Sequence, residues 1–212
     1  MTVNSDSRTR DPVATRDALL AAGARLFASR GYDGATVRAI ADDAGVNPAL
    51  ISYHFGGKQG LYTAVLLSAI ADAKEDLAGL RSSRLPPDQR LREFIAAFGR
   101  FSQRLPHFPI ILVREEMSGA RNMGDEVLAE LSGFFNLDRE ILEEGRRQGV
   151  FREVDTHAAH LMLVGALIFF FLSQPLRERF DLEEKLPASS PELDMYVSLV
   201  QDVIVRGLGA ED

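Results

Sequence analysis

Residues 44–62 read AGVNPALISYHFGGKQGLY. Asn47-Pro48 is a helix-opening signal: asparagine can accept a hydrogen bond from a first-turn N–H, and proline lacks the N–H that would go unsatisfied there. Gly56-Gly57 closes the helix within about three turns. So short a helix is marginal in water by itself and must be held by neighbours. The preceding residues supply one. Thr36 is a good N-cap, and Val37, Ile40, Ala41 and Ala44 give a helix over 36–44 one apolar face. Gly45 then provides a turn in which positive φ is cheap. Two short helices joined this way form a helix-turn-helix. Small Ala41 allows close approach, while Val46 and Ile51 can lock the pair together.

On a helical wheel at about 100° per residue, Pro48, Ala49, Ser52 and Tyr53 share one arc of the short helix. Leu50, Ile51, His54 and Phe55 fall on the opposite arc. The first arc is small or hydroxyl-bearing and free of long charges, so it can enter a DNA major groove, which admits one helix. Ser52 and Tyr53 can bond base edges or phosphates, and Pro48 and Ala49 can lie against thymine methyls. Lys58, opening the next helix, is placed for a phosphate. Arg38 can reach a phosphate or a guanine edge. Val37 and Asn47, at the starts of the two helices, complete the candidate set.

Thr36-Val-Arg-Ala-Ile-Ala-Asp-Asp-Ala-Gly-Val-Asn, with Tyr53-His-Phe-Gly-Gly-Lys58 and Leu61-Tyr, resembles the DNA-binding domain of the tetracycline-repressor-like (TetR) family. Upstream, Ala21-Ala-Gly-Ala-Arg-Leu-Phe-Ala-Ser-Arg-Gly-Tyr32 resembles that family's first helix. The likeness spans residues 14–65. It implies an all-helical homodimer with a C-terminal regulatory domain, acting as a repressor that a small ligand releases from a palindromic operator. It also implies that Thr36 and Lys58 touch phosphates, that Pro48, Ala49, Leu50 and Tyr53 face the groove, and that His54 lies at its edge. The chain departs from the family pattern at Leu50, where threonine is common, and at Ser52, where tyrosine is common.

The remainder also reads as helix, with no sustained period-two alternation. The spacing predicts helices near 15–30, 58–80, 110–120, 125–148, 156–173 and 191–208. Another carries Leu91, Phe94, Ile95, Phe98 and Phe101, after a break at Arg81–Asp88. The expected fold is all-α: a tail over 1–13, a three-helix DNA-binding domain over 14–60, and a larger ligand-binding and dimerisation domain over 61–212. The run Leu161–Leu172 is apolar all round, which suits a buried or shared helix. It is too short for a membrane span, which needs about 20 residues. With the stripe on 191–208 it predicts a dimer interface of Leu167, Phe170, Phe171, Tyr196, Leu199, Val200, Val203 and Ile204, two copies forming a four-helix bundle. A ligand pocket is expected to draw its walls from Phe94, Phe98, Phe101, Ile110, Phe134, Phe135 and Leu163. Its anchors are expected among His107, Arg114, Glu115 and His160.

Composition narrows the function classes. Hydrophobic residues make up 46% and charged residues 26%, a globular balance. The chain has no cysteine, so disulfides and thiolate metal sites are out. The net charge of −7 argues against indiscriminate nucleic-acid binding. Residues 1–60, with seven basic against six acidic side chains, escape that acidity. The N-terminus lacks the apolar core of a signal peptide, and a cytoplasmic location is expected. His157 and His160 have helical metal-pair spacing, but no second pair accompanies them. Adjacent Glu115 and Glu116 point about 100° apart and do not converge for acid–base chemistry. With no catalytic motif present, an enzyme is not expected, nor is a cofactor. The alternative is a helical protein that binds a ligand or partner without acting through DNA.

Overall fold

Asp11 accepts a hydrogen bond from Val13 N at 3.0 Å and Pro12 occupies the first turn, which starts helix α1 (Pro12–Gly34). Gly31, at φ 73°, interrupts its helical path three residues before the end. The computed structural model describes residues 11–179 and 190–210, with the side chains of Phe134, Phe135, Glu178 and 190–192 outside that description. Two compact units divide the chain, Met1–Leu66 and Leu67–Asp212.

In the first unit α1 is followed by α2 (Val37–Ala44), α3 (Ala49–Phe55) and the opening turns of α4 (Lys58–Leu77). Thr36 caps α2 by accepting from Ala39 N at 3.1 Å, and Gly45 ends it at φ 64°. Asn47 accepts from Ala49 N at 2.9 Å, although the residue flanking α3 is Pro48. Ile40, Ala41 and Ile51 are fully buried, and they hold α2 and α3 together. Phe27, Tyr32 and Tyr62 pack edge and face, with Phe27 and Tyr62 rings 4.7 Å apart. Arg25 and Asp43 pair at 2.6 Å and tie α1 to α2 at the surface.

The second unit contains the rest of α4 with α5 (Pro87–Arg104), α6 (His107–Ser118), α7 (Asp125–Arg147), α8 (Thr156–Leu172), α9 (Gln174–Arg179) and α10 (Ser190–Leu208). α5, α7, α8 and α10 enclose its core, in which Leu91, Ile95, Ile141, Leu163, Leu167 and Phe170 are buried. Each such side chain contributes about 1.5–3 kcal/mol by leaving water. α5 approaches α10 closely at Gly99, where an added Cβ would press on Val197. Arg90 is buried yet satisfied: Nε donates to Leu80 O at 3.1 Å and Nη1 to Glu144 at 3.0 Å. The short α9, with Pro175 in its first turn, has no counterpart among the helices expected from the sequence. Among the described residues no helix is long and apolar enough to cross a membrane.

Candidate functional sites

The first site is the outer surface of α3. Anchoring α3 through Ile51 turns Pro48, Ala49, Ser52 and Tyr53 outward, and Tyr53 is 79% exposed. Leu50 and His54 are half-buried at the margins of this face, and the His54 ring meets Tyr53 edge-on at 4.9 Å. Thr36 and Asn47 are exposed, while Val37 is half-buried. Arg38 extends into solvent, with only a long 4.0 Å approach to Asp42. The Lys58 ammonium lies 4.3 Å from the centre of the Tyr32 ring, a cation–π contact that narrows the range of a flexible side chain. Burial, reinforced by the neighbouring Asp33 charge, raises the Tyr32 pKa, so its ring stays neutral beneath the cation. Gly60 is a further requirement of this corner. Any Cβ there would overlap the Phe55 carbonyl oxygen, so only glycine lets α4 start so close to the end of α3. The Tyr32–Lys58 contact is not visible without tertiary structure, whereas the Gly60 approach is local to the turn after α3.

The second site is a cavity of about 550 Å³ within the Leu67–Asp212 unit. Phe98 and Phe101 of α5, Phe108 and Leu112 of α6, Leu131 of α7 and one face of α8 supply its walls. On α8 that face is Leu161, Val164, Gly165, Ile168, Phe169 and Leu172. Glu115 and His160 are the anticipated anchors that reach it, both almost fully buried. Glu115 Oε2 accepts from Asn122 N at 3.2 Å and Oε1 from Asn122 Nδ2 at 2.9 Å. His160 Nδ1 lies 2.5 Å from Oδ2 of the fully buried Asp138.

Several expectations for this unit need correction. Phe94 and Leu163 belong to the core and do not reach the cavity. Ile110 and His107 are half-buried away from it, and Arg114 is exposed. The side chains of Phe134 and Phe135 lie outside the described residues. The expected interface set also mixes two faces. Leu167, Phe170, Phe171, Val200 and Ile204 are buried in the unit's own core, so they have no surface left to offer. Tyr196 is half-buried, donating to Ala166 O at 2.8 Å and packing 4.6 Å from Phe170. Only Leu199 and Val203 of that set are exposed, in one row with Met195 on α10. On α8 the exposed large apolar residues are Leu161, Met162 and Phe169. His157 is exposed, Asp155 caps α8 by accepting from Ala158 N at 2.8 Å, and His160 turns inward to Asp138.

Comparison with known proteins reaches both units. Residues 19–65 match the profile described as bacterial regulatory proteins, tetR family, and residues 87–183 match the tetracyclin repressor-like C-terminal domain. The HTH-type transcriptional repressor NicS of Pseudomonas putida is 30% identical over 205 residues, covering 95% of each chain. The HTH-type transcriptional regulator RutR of Escherichia coli is 25% identical over 155 residues, 70% of this chain and 69% of that one. Among solved structures, a linker-substituted mutant of HlyIIR superposes with TM-score 0.73 at 23% identity, covering 95% of this chain and 99% of that one. PfmR of Thermus thermophilus, a TetR family regulator, gives 0.68 at 24% identity, covering 92% of this chain and 99% of that one. At those identities the two structures speak for the fold alone.

Proposed function

This chain belongs to the TetR family of DNA-binding transcriptional regulators, and we propose that it works as a homodimer that represses transcription from a palindromic operator until a small ligand releases it. It is a regulator and not an enzyme. The observation that carries the DNA-reading assignment is the orientation of α3: Ile51 is buried, and Ser52 and Tyr53 project into solvent. Tyr53, Ser52, Pro48 and Ala49 would enter the major groove, with Leu50 and His54 at its edges. Thr36, Arg38 and Lys58 would hold the flanking phosphates, and Val37 and Asn47 would set the helix starts against the backbone.

The exposed rows Met195–Leu199–Val203 on α10 and Leu161–Met162–Phe169 on α8 support a two-fold contact between copies. Two-fold symmetry would present one α3 to each half-site about one helical turn apart. The cavity supports a ligand that prefers one of two spacings of the reading helices. A coupling of about 1–3 kcal/mol is typical for such a switch and shifts operator affinity roughly 5–150-fold.

The test is binding to DNA from the protein's own upstream region, titrated with salt. Lys58→Ala is expected to weaken binding to every sequence and to flatten the log–log salt dependence by about one unit per protomer. Unchanged binding and slope would remove Lys58 from the phosphate contacts.

A further inference from the structure

The charges around the cavity differ from what its apolar walls suggest. Among the described lining residues there are two carboxylates, Glu115 and Glu116, and no lysine or arginine. Glu115 is 2% exposed and fixed by Asn122 from both the backbone and the side chain, so it cannot swing away from an arriving group. Glu116 stands at the exposed rim. The remaining ionisable lining group, His160, directs Nδ1 at the buried Asp138 carboxylate and away from the cavity walls. Ser132, also at the rim, is the uncharged polar member.

An anionic ligand would lose its water here and gain no cation in exchange, with a carboxylate close by. Burying a charge without a partner is costly, and a like charge a few ångströms away adds to the cost. A cationic amine would instead find its counter-ion in place, and a neutral donor would find an acceptor. We propose that the effector is a predominantly apolar molecule whose polar end is a basic nitrogen or a neutral N–H or O–H donor directed at Glu115, and that carboxylate-bearing apolar molecules are rejected. This rests on the cavity being the effector site of the proposed repressor.

The experiment is displacement of a neutral fluorescent probe, N-phenyl-1-naphthylamine, from the full-length protein by decylamine, decanol and decanoate. The three share one apolar chain and differ in charge. Gly165→Phe is the occupancy control, because a side chain at 165 would enter open space in the cavity. Probe fluorescence that survives in Gly165→Phe would place the probe elsewhere and would sink the cavity reading itself. With the probe in the cavity, decylamine is expected to displace it at a concentration at least tenfold below that of decanoate. Equal or better displacement by decanoate would overturn the charge assignment and leave the cavity reading intact. Glu115→Gln is expected to bring decylamine and decanoate within about threefold of each other. Ser132→Lys adds a cation at the exposed rim without touching the core, and is expected to move the ratio several-fold towards decanoate. A ratio that neither substitution moves would also overturn the proposal.

Discussion

The two units place their chemistry on opposite sides of their helices. Between Met1 and Leu66, a small core of Leu19, Phe27, Ile40, Ile51 and Tyr62 faces inward, and the polar and aromatic groups of α3 face out. Between Leu67 and Asp212, Glu115 and His160 face inward around a cavity, while part of the apolar surface of α8 and α10 faces out. A rigid surface reader needs no interior space. A ligand sensor, the role proposed for the second unit, must keep some.

That contrast can be broken most broadly at Gly60, where fold and operator binding fail together. Gly60→Val would force the Phe55 carbonyl and the start of α4 apart, and the loss is expected to reach about 3 kcal/mol, read as a lowered Tm with loss of operator binding. A paired substitution separates core from outward face in the second unit. Leu167→Ala, at a fully buried site, should cost about 2–5 kcal/mol in thermal or urea unfolding. Leu199→Asp, at a residue 59% exposed, should leave the folded protomer intact and shift sedimentation from dimer to monomer. Tyr53→Ala should leave the Tm within about 0.5 kcal/mol equivalent, because the ring is exposed, yet weaken operator binding by about 1–3 kcal/mol in a fluorescence anisotropy titration. The smallest effect belongs to the exposed Arg25–Asp43 pair. Asp43→Asn should cost less than about 1 kcal/mol, and less still in high salt.

Much of the first unit was legible because its signals are local. Thr36 and Asn47 accept hydrogen bonds from residues two or three positions away, and Gly45 needs its positive φ where the sequence puts the turn. The wheel for α3 placed Tyr53 and Ser52 on the exposed side and Ile51 on the buried side, as found. It put Leu50 and His54 on the opposite arc, whereas the family resemblance put them at the groove, and both are half-buried. In the second unit helix positions other than α9 were readable and helix faces were not. α8 is apolar all round, so periodicity cannot distinguish core-facing Leu163 from cavity-facing Val164 or outward Met162. The Tyr32–Lys58 contact depends on how the chain returns on itself, and no short-range pattern encodes that.

The α8 helix has one more consequence. Leu161 and Phe169 line the cavity and are also exposed, so a guest molecule lodged inside would press on side chains that solvent can reach. The protein has no tryptophan, which makes an indole introduced at Met162, a neighbour on the same outward row, a solitary optical gauge of what the interior holds. The same crowding restrains evolutionary drift: widening the chamber to admit a bulkier guest also reshapes the outside of the molecule.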